Sequence, residues 1–185
     1  NVWISSSNSV ASLGCNWSAG RAPITTDAVC FDGRYSSADC TWDDDAAHTV
    51  ASWTQNNDYT GTITLKTVFP GKGDFTCLTV TGAMNIESGT LTHPQSVAKG
   101  DSISDPAAAV ADLIANETYR IRIDAASLSV GASGKIDAMG KEITPNDPMC
   151  KELLERYYGA YVKEQVRFGT TCWNLGDECS FSYGG

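Results

Sequence analysis

Short runs of alternating apolar and polar residues follow one another at nearly constant spacing in two parts of the chain. The first part is Phe75 to His93 and the second is Tyr119 to Ile143, and glycines and other small residues separate the runs. Alternation is the period of a half-buried strand. The residues predicted to point into one continuous core are Leu78, Val80, Ile86, Leu91, Ile121, Ile123, Leu128, Val130 and Ile136.

Tandem short strands at this spacing are typical of a solenoid, in which each coil buries its apolar face against its neighbours. We therefore predict a mainly β fold, a single-stranded parallel β-helix with two short helices. Short strands with glycine turns also describe an antiparallel β-sandwich or jelly roll, which is the alternative fold. Hairpin signals are weak, because the one Asp-Gly pair, Asp32-Gly33, lies outside both strand-rich parts and there is no Asn-Gly pair.

The length of 185 residues predicts a single domain, which we divide into five segments. These are an N-terminal cap (1–53), β coils (54–93 and 117–144), a helical insertion (94–116), and a C-terminal helix and tail (145–185). Asp105-Pro106 predicts the start of the first helix, because Asp is a good N-cap and Pro fits the first helical position. Asp147-Pro148 starts the second helix in the same way, and Gly169 ends it.

The net charge excludes one large class of partner. The chain carries a formal charge of -9 and has no run of basic residues, whereas binding to nucleic acid needs clustered Lys and Arg. Its apolar stretches are far shorter than the roughly 18–20 residues needed to cross a bilayer, and no basic-then-apolar leader stands at Asn1. We expect a mature, soluble protein without membrane insertion.

The cysteines indicate a redox compartment. No CxxC pair and no zinc-like spacing of Cys and His occurs, so disulfides are favoured over a metal, which places the protein outside the reducing cytosol. We predict one bridge among the first three cysteines and one among the last three, and the odd cysteine is either a buried thiol or a cross-link to another copy. The disulfide candidates are Cys15, Cys30, Cys40, Cys77, Cys150, Cys172 and Cys179.

One stretch near the N-terminus resembles a known family. Residues 16–31 follow the pattern NWSxGxxPxxxDxVxF, through Asn16, Trp17, Ser18, Gly20, Pro23, Asp27, Val29 and Phe31. This opening resembles that of bacterial extracellular and cell-surface β-solenoid proteins of the autotransporter type, and Gly89-Thr90-Leu91 and residues 130–137 resemble their repeat phrases. The resemblance implies a secreted, surface-associated solenoid.

Candidate catalytic groups are few. The two histidines, His48 and His93, stand in turn-like settings without a nucleophile motif, and we predict that both are on the surface. Asp43 to Asp45 lack the spacing of a calcium loop and predict a solvated acidic turn, with a weak calcium site as the alternative. Asn16 and Asn116 match the N-glycosylation pattern. We therefore predict no enzyme activity, no cofactor and no metal.

Two functions from different classes stay open. The first is a structural subunit of an extracellular filament or surface assembly, in which copies join head to tail through solenoid ends and terminal strands. The residues expected at the subunit interface are Val2, Ile4, Tyr157, Tyr161, Phe181 and Tyr183.

The second function is a carbohydrate-binding module or a polysaccharide-active β-helix protein. Exposed tryptophans would serve as sugar platforms, and the candidates are Trp3, Trp42, Trp53 and Trp173. The scarcity of catalytic residues favours the structural role. We therefore predict an extracellular, cell-surface protein whose partners are copies of itself, with surface polysaccharide as a further candidate partner.

Overall fold

A computed structural model of the protein describes residues 1–95 and 118–138. The chain divides into two compact units, and all described residues except Gln95 and Thr118 belong to the unit formed by Asn1–Pro94 and Tyr119–Ala138. The two predicted helices lie outside the described residues, and the single-domain organisation stays a prediction.

The described part is mainly β, with 46% of its residues in strands and no helix of seven residues or more. One turn of 3-10 helix occupies Gly14–Asn16. The strands are β1 (Ser9–Val10), β2 (Ala28–Phe31), β3 (Cys40–Trp42), β4 (Thr49–Val50), β5 (Ser52–Gln55), β6 (Thr62–Leu65), β7 (Leu78–Thr92) and β8 (Ile123–Ile136).

All eight strands join one curled parallel sheet, a half-barrel. Short strands stack in three rows on the long strand β7: β4 on its beginning, β5 and β2 on its middle, and β6, β3 and β1 on its end. β8 follows β7 along its whole length, with register shifts between Val80 and Ala83 and between Ile86 and Ser88. The parallel pairing of every strand excludes the antiparallel sandwich for this part of the chain.

The inner side of the sheet is aromatic toward the N-terminus and aliphatic toward β7. Trp42 and Trp53, for example, pack with ring centroids 4.8 Å apart. Such aromatic pairs add about 0.5–1.5 kcal/mol beyond the area they bury. The large aromatic side chains that are fully buried are Trp3, Trp17, Phe31, Trp42, Trp53, Tyr59 and Phe75.

The predicted core is confirmed on β7 and is wrong for three of the predicted residues on β8. Leu78, Val80, Ile86 and Leu91 are buried, and Ile121 and Ile123 are partly buried against the core. In β8, however, Leu128 is 52% exposed, Val130 46% and Ile136 40%. The physical reason is position: among the described residues β8 has a strand neighbour on one side only, β7.

The sheet begins earlier than the sequence indicated. The segment 1–53, predicted as a cap, contains the strands β1 to β4, and Val2 bridges in parallel to Cys30 of β2. Strands of only two to four residues produce a weak alternation signal, because so few positions fall on each face.

The predicted disulfide among the first three cysteines is wrong, since Cys15, Cys30, Cys40 and Cys77 are free. Cys30 stands between the buried residues Val29 and Phe31 on β2 and therefore points out of the sheet, whereas Cys40 is buried in the core. A disulfide needs Cβ atoms that face each other at about 3.5–4.5 Å. Cys150, Cys172 and Cys179 lie outside the described residues.

Candidate interaction surface

The N-terminal edge of the sheet is covered by its own chain. Val2 O accepts a hydrogen bond from Ser18 N at 2.9 Å, and Val2 N donates to Ser18 Oγ at 2.9 Å. Ile4 N donates to Asn16 O at 2.8 Å, and Trp3 forms an antiparallel bridge with Trp17. Because β2 lies on the other side of this first segment, both of its edges are occupied.

Side chains of the covering segment close the core at the same end. The buried ring of Trp17 packs edge-on against Trp3, with centroids 5.1 Å apart, and its indole N–H donates to Ala11 O at 2.8 Å. The amide of Asn16 donates to Ser9 Oγ and to Val10 O, both at 2.9 Å. The side chains of Trp17 and Asn16 therefore occupy apolar and main-chain groups at this end that a further strand could have used.

An ion pair ties the covering loop to the start of the chain. Arg21 donates to both carboxylate oxygens of Asp27, at 2.7 and 2.9 Å, in a bidentate arrangement. Asp27 also accepts from Ile24 N and from the side-chain amide of Asn1. Its guanidinium partner, more than the two amides, holds the pKa of the Asp27 carboxyl well below its usual range.

The opposite end of the sheet, at β8, presents apolar side chains. We call Leu128, Val130 and Ile136 the β8 apolar row. They pair in register with Met84, Ile86 and Leu91 of β7, all three buried. Directly paired residues of a parallel sheet project from the same face, so the β8 apolar row extends the buried core to the last described strand.

β8 is held closely against β7. A Cβ atom added at Gly134 would lie 2.1 Å from the carbonyl oxygen of Ile86, so only glycine allows this approach. Within the described residues, the edge of β8 that faces away from β7 has no strand neighbour, and the strand that presents it lies close against β7.

Charged side chains lie near the two ends of β8 and point outward. Asp124 and Lys135 are exposed and pair in register with Thr79 and Thr90 of β7. The Lys135 ammonium lies 3.3 Å from a carboxylate oxygen of Asp137 in the same chain. The β8 end therefore combines an apolar row with one exposed charge of each sign.

Of the interface residues predicted from the sequence, the structure describes Val2 and Ile4. The backbone of Val2 is engaged within its own chain, so it is not available for strand addition, while the side chain of Ile4 is 40% exposed. Tyr157, Tyr161, Phe181 and Tyr183 lie outside the described residues, and their role stays a prediction.

The tryptophans predicted as sugar platforms are core residues. Trp3, Trp42 and Trp53 are each 0% exposed, so the prediction is wrong for them, and Trp173 lies outside the described residues. Sequence alone did not separate an exposed from a buried tryptophan in segments with little periodicity.

The two histidines and the acidic turn singled out in the sequence make contacts within the protein. His93 is buried, contrary to prediction, and His48 stacks on Phe75 at 4.3 Å. Asp43 is buried and accepts two hydrogen bonds from Ser12, so the acidic turn is not fully solvated. No group of three or more metal-binding side chains is found among the described residues.

The first glycosylation pattern is unsuitable in the folded protein. Asn16 is buried and its amide nitrogen makes two hydrogen bonds, so a glycan at that atom has no room. Asn116 lies outside the described residues.

In the part of the chain that the structure describes, no helix is both long enough and apolar enough to span a membrane. The chain matches no family model, no curated protein and no solved structure among those compared with it.

Proposed function

We propose that the curled parallel sheet is part of a parallel β-helix, with the three rows of strands forming the faces of successive coils. The pairing supports this fold, because equivalent positions recur once per coil. One such inward ladder runs through Val29, Trp53, Met84 and Leu128, each paired in register with the next.

On this fold the protein acts as a structural, non-catalytic subunit of an extracellular filament or surface assembly and associates with copies of itself. The observation that carries the proposal is the exposed β8 apolar row, on a strand whose second edge has no strand neighbour among the described residues. An edge strand with exposed apolar side chains is a template for pairing with another chain. Burying the exposed half of each of the three side chains contributes about 1 kcal/mol per residue, to which new main-chain hydrogen bonds add.

The extracellular, cell-surface location rests on the resemblance of residues 16–31 to bacterial surface β-solenoid proteins. The alternative of a carbohydrate-binding module loses its main support, because three of its four proposed sugar platforms are buried.

The test is the mass of the full-length protein in solution, measured by sedimentation over a range of concentrations. We expect the wild type to form larger species as concentration rises, and Val130→Lys to stay monomeric. Thr54→Lys is the matched control, because Thr54 lies in the same row of strands but faces outward. A wild type that is monomeric at every concentration would overturn the proposal.

A further inference from the structure

Self-association through β8 leaves open which surface of the second copy meets it. A head-to-tail contact needs an open edge at the N-terminal end, and there the backbone of Val2 is bonded to Ser18 and the core is closed by Trp17. Among the described strands, β8 is the one that combines an edge without a strand neighbour and an exposed row of apolar side chains in line with the core. We propose that β8 pairs antiparallel with β8 of a second copy across a two-fold axis, an inference that rests on the proposed self-association.

The residue order of β8 suits this symmetry. An axis at Ser129 places Leu128 of one copy opposite Val130 of the other, and both residues project toward the core side. The same axis brings the beginning of β8 in one copy to the end of β8 in the other. A two-fold contact is isologous, so each favourable pair occurs twice.

The charges near the ends of β8 are complementary under the same operation. Asp124 lies five residues before Ser129 and Lys135 lies six after it. A one-residue bulge in each half, like the irregularities in the β7–β8 pairing, sets Asp124 of one copy opposite Lys135 of the other. Ile123 and Ile136 then also face each other, and Lys135 exchanges its partner Asp137 for a carboxylate across the junction.

The experiment uses charge reversal in the full-length chain, with sedimentation as the readout and circular dichroism to confirm folding. We expect a wild-type dimer. Asp124→Lys and Lys135→Asp should each weaken it about tenfold, because each replaces two attractive pairs by two repulsive ones. An equimolar mixture of the two variants should restore the dimer as a heterodimer, since both pairs are then of opposite sign.

The other outcomes each decide the matter. A wild type that grows into long polymers, with no recovery in the mixture, overturns the two-fold contact and leaves self-association standing. A monomeric wild type overturns both proposals.

Discussion

Gln55 is a polar side chain in an apolar interior, and replacing it with leucine should stabilise the protein. The residue is 0% exposed and lies on β5 between Phe31 and Ile86, its register partners on either side. Neither its Nε2 nor its Oε1 has a hydrogen-bond partner within the described structure. Gln55→Leu keeps a side chain of similar size and removes both unpaired groups.

The magnitude follows from the cost of burying an unpaired polar group, about 1–3 kcal/mol in mutational data. Imperfect packing of the branched leucine offsets part of that gain, since shape changes in a core cost up to about 1.5 kcal/mol. We therefore expect the free energy of unfolding to rise by about 1–2 kcal/mol. In a protein of this size that corresponds to a Tm increase of roughly 2–4 °C per kcal/mol.

Urea denaturation followed by tryptophan fluorescence measures this change, with the slope m expected to stay constant. Thr54→Val on the same strand is the control, because its side chain faces outward, and its stability should stay within about 0.5 kcal/mol of the wild type. A Gln55→Leu protein that is less stable than the wild type by about 1 kcal/mol or more, with the same m, would refute the reasoning. It would mean that the amide is held by hydrogen bonds to bound water.

Three further measurements test other parts of the structure. Arg34 lowers the pKa of Asp32 to about 2, so the stability that Asp32 contributes is present above its unfolded pKa of about 4 and is lost as pH falls through about 2. The stability difference between wild type and Asp32→Asn should therefore vanish over that window; a constant difference contradicts the assignment. A thiol reagent should modify the exposed Cys15 quickly. It should modify the buried Cys40 only on unfolding, because burial raises the pKa of that thiol. A peptide map that shows a disulfide between the two cysteines would disprove the free thiols. Gly134→Ala should lower the protection of backbone amides in β8 against hydrogen exchange and leave that of β5 unchanged. Unchanged protection of β8 would contradict its close packing on β7.

The alternation along residues 75–93 and 119–136 predicted strands and the face on which each side chain lies, and the even spacing favoured parallel stacking over an antiparallel sandwich. Leu78, Val80, Ile86 and Leu91 are buried as predicted, because β7 lies inside the stack, with β8 on one side and β4, β5 and β6 on the other. The pattern determines the face on which a side chain lies. It carries no information about how many strands stack on that face.

Tertiary structure alone decided which side chains of β8 are exposed and which cysteines face each other. Leu128, Val130 and Ile136 have the same pattern as their partners in β7, yet they are exposed because β8 is the last described strand of the stack. Cys30 and Cys40 are close in sequence but face opposite sides of the sheet, which prevents a bridge that sequence proximity favoured. Exposure and pairing depend on which distant segments pack together, and a local period of two residues cannot specify those contacts.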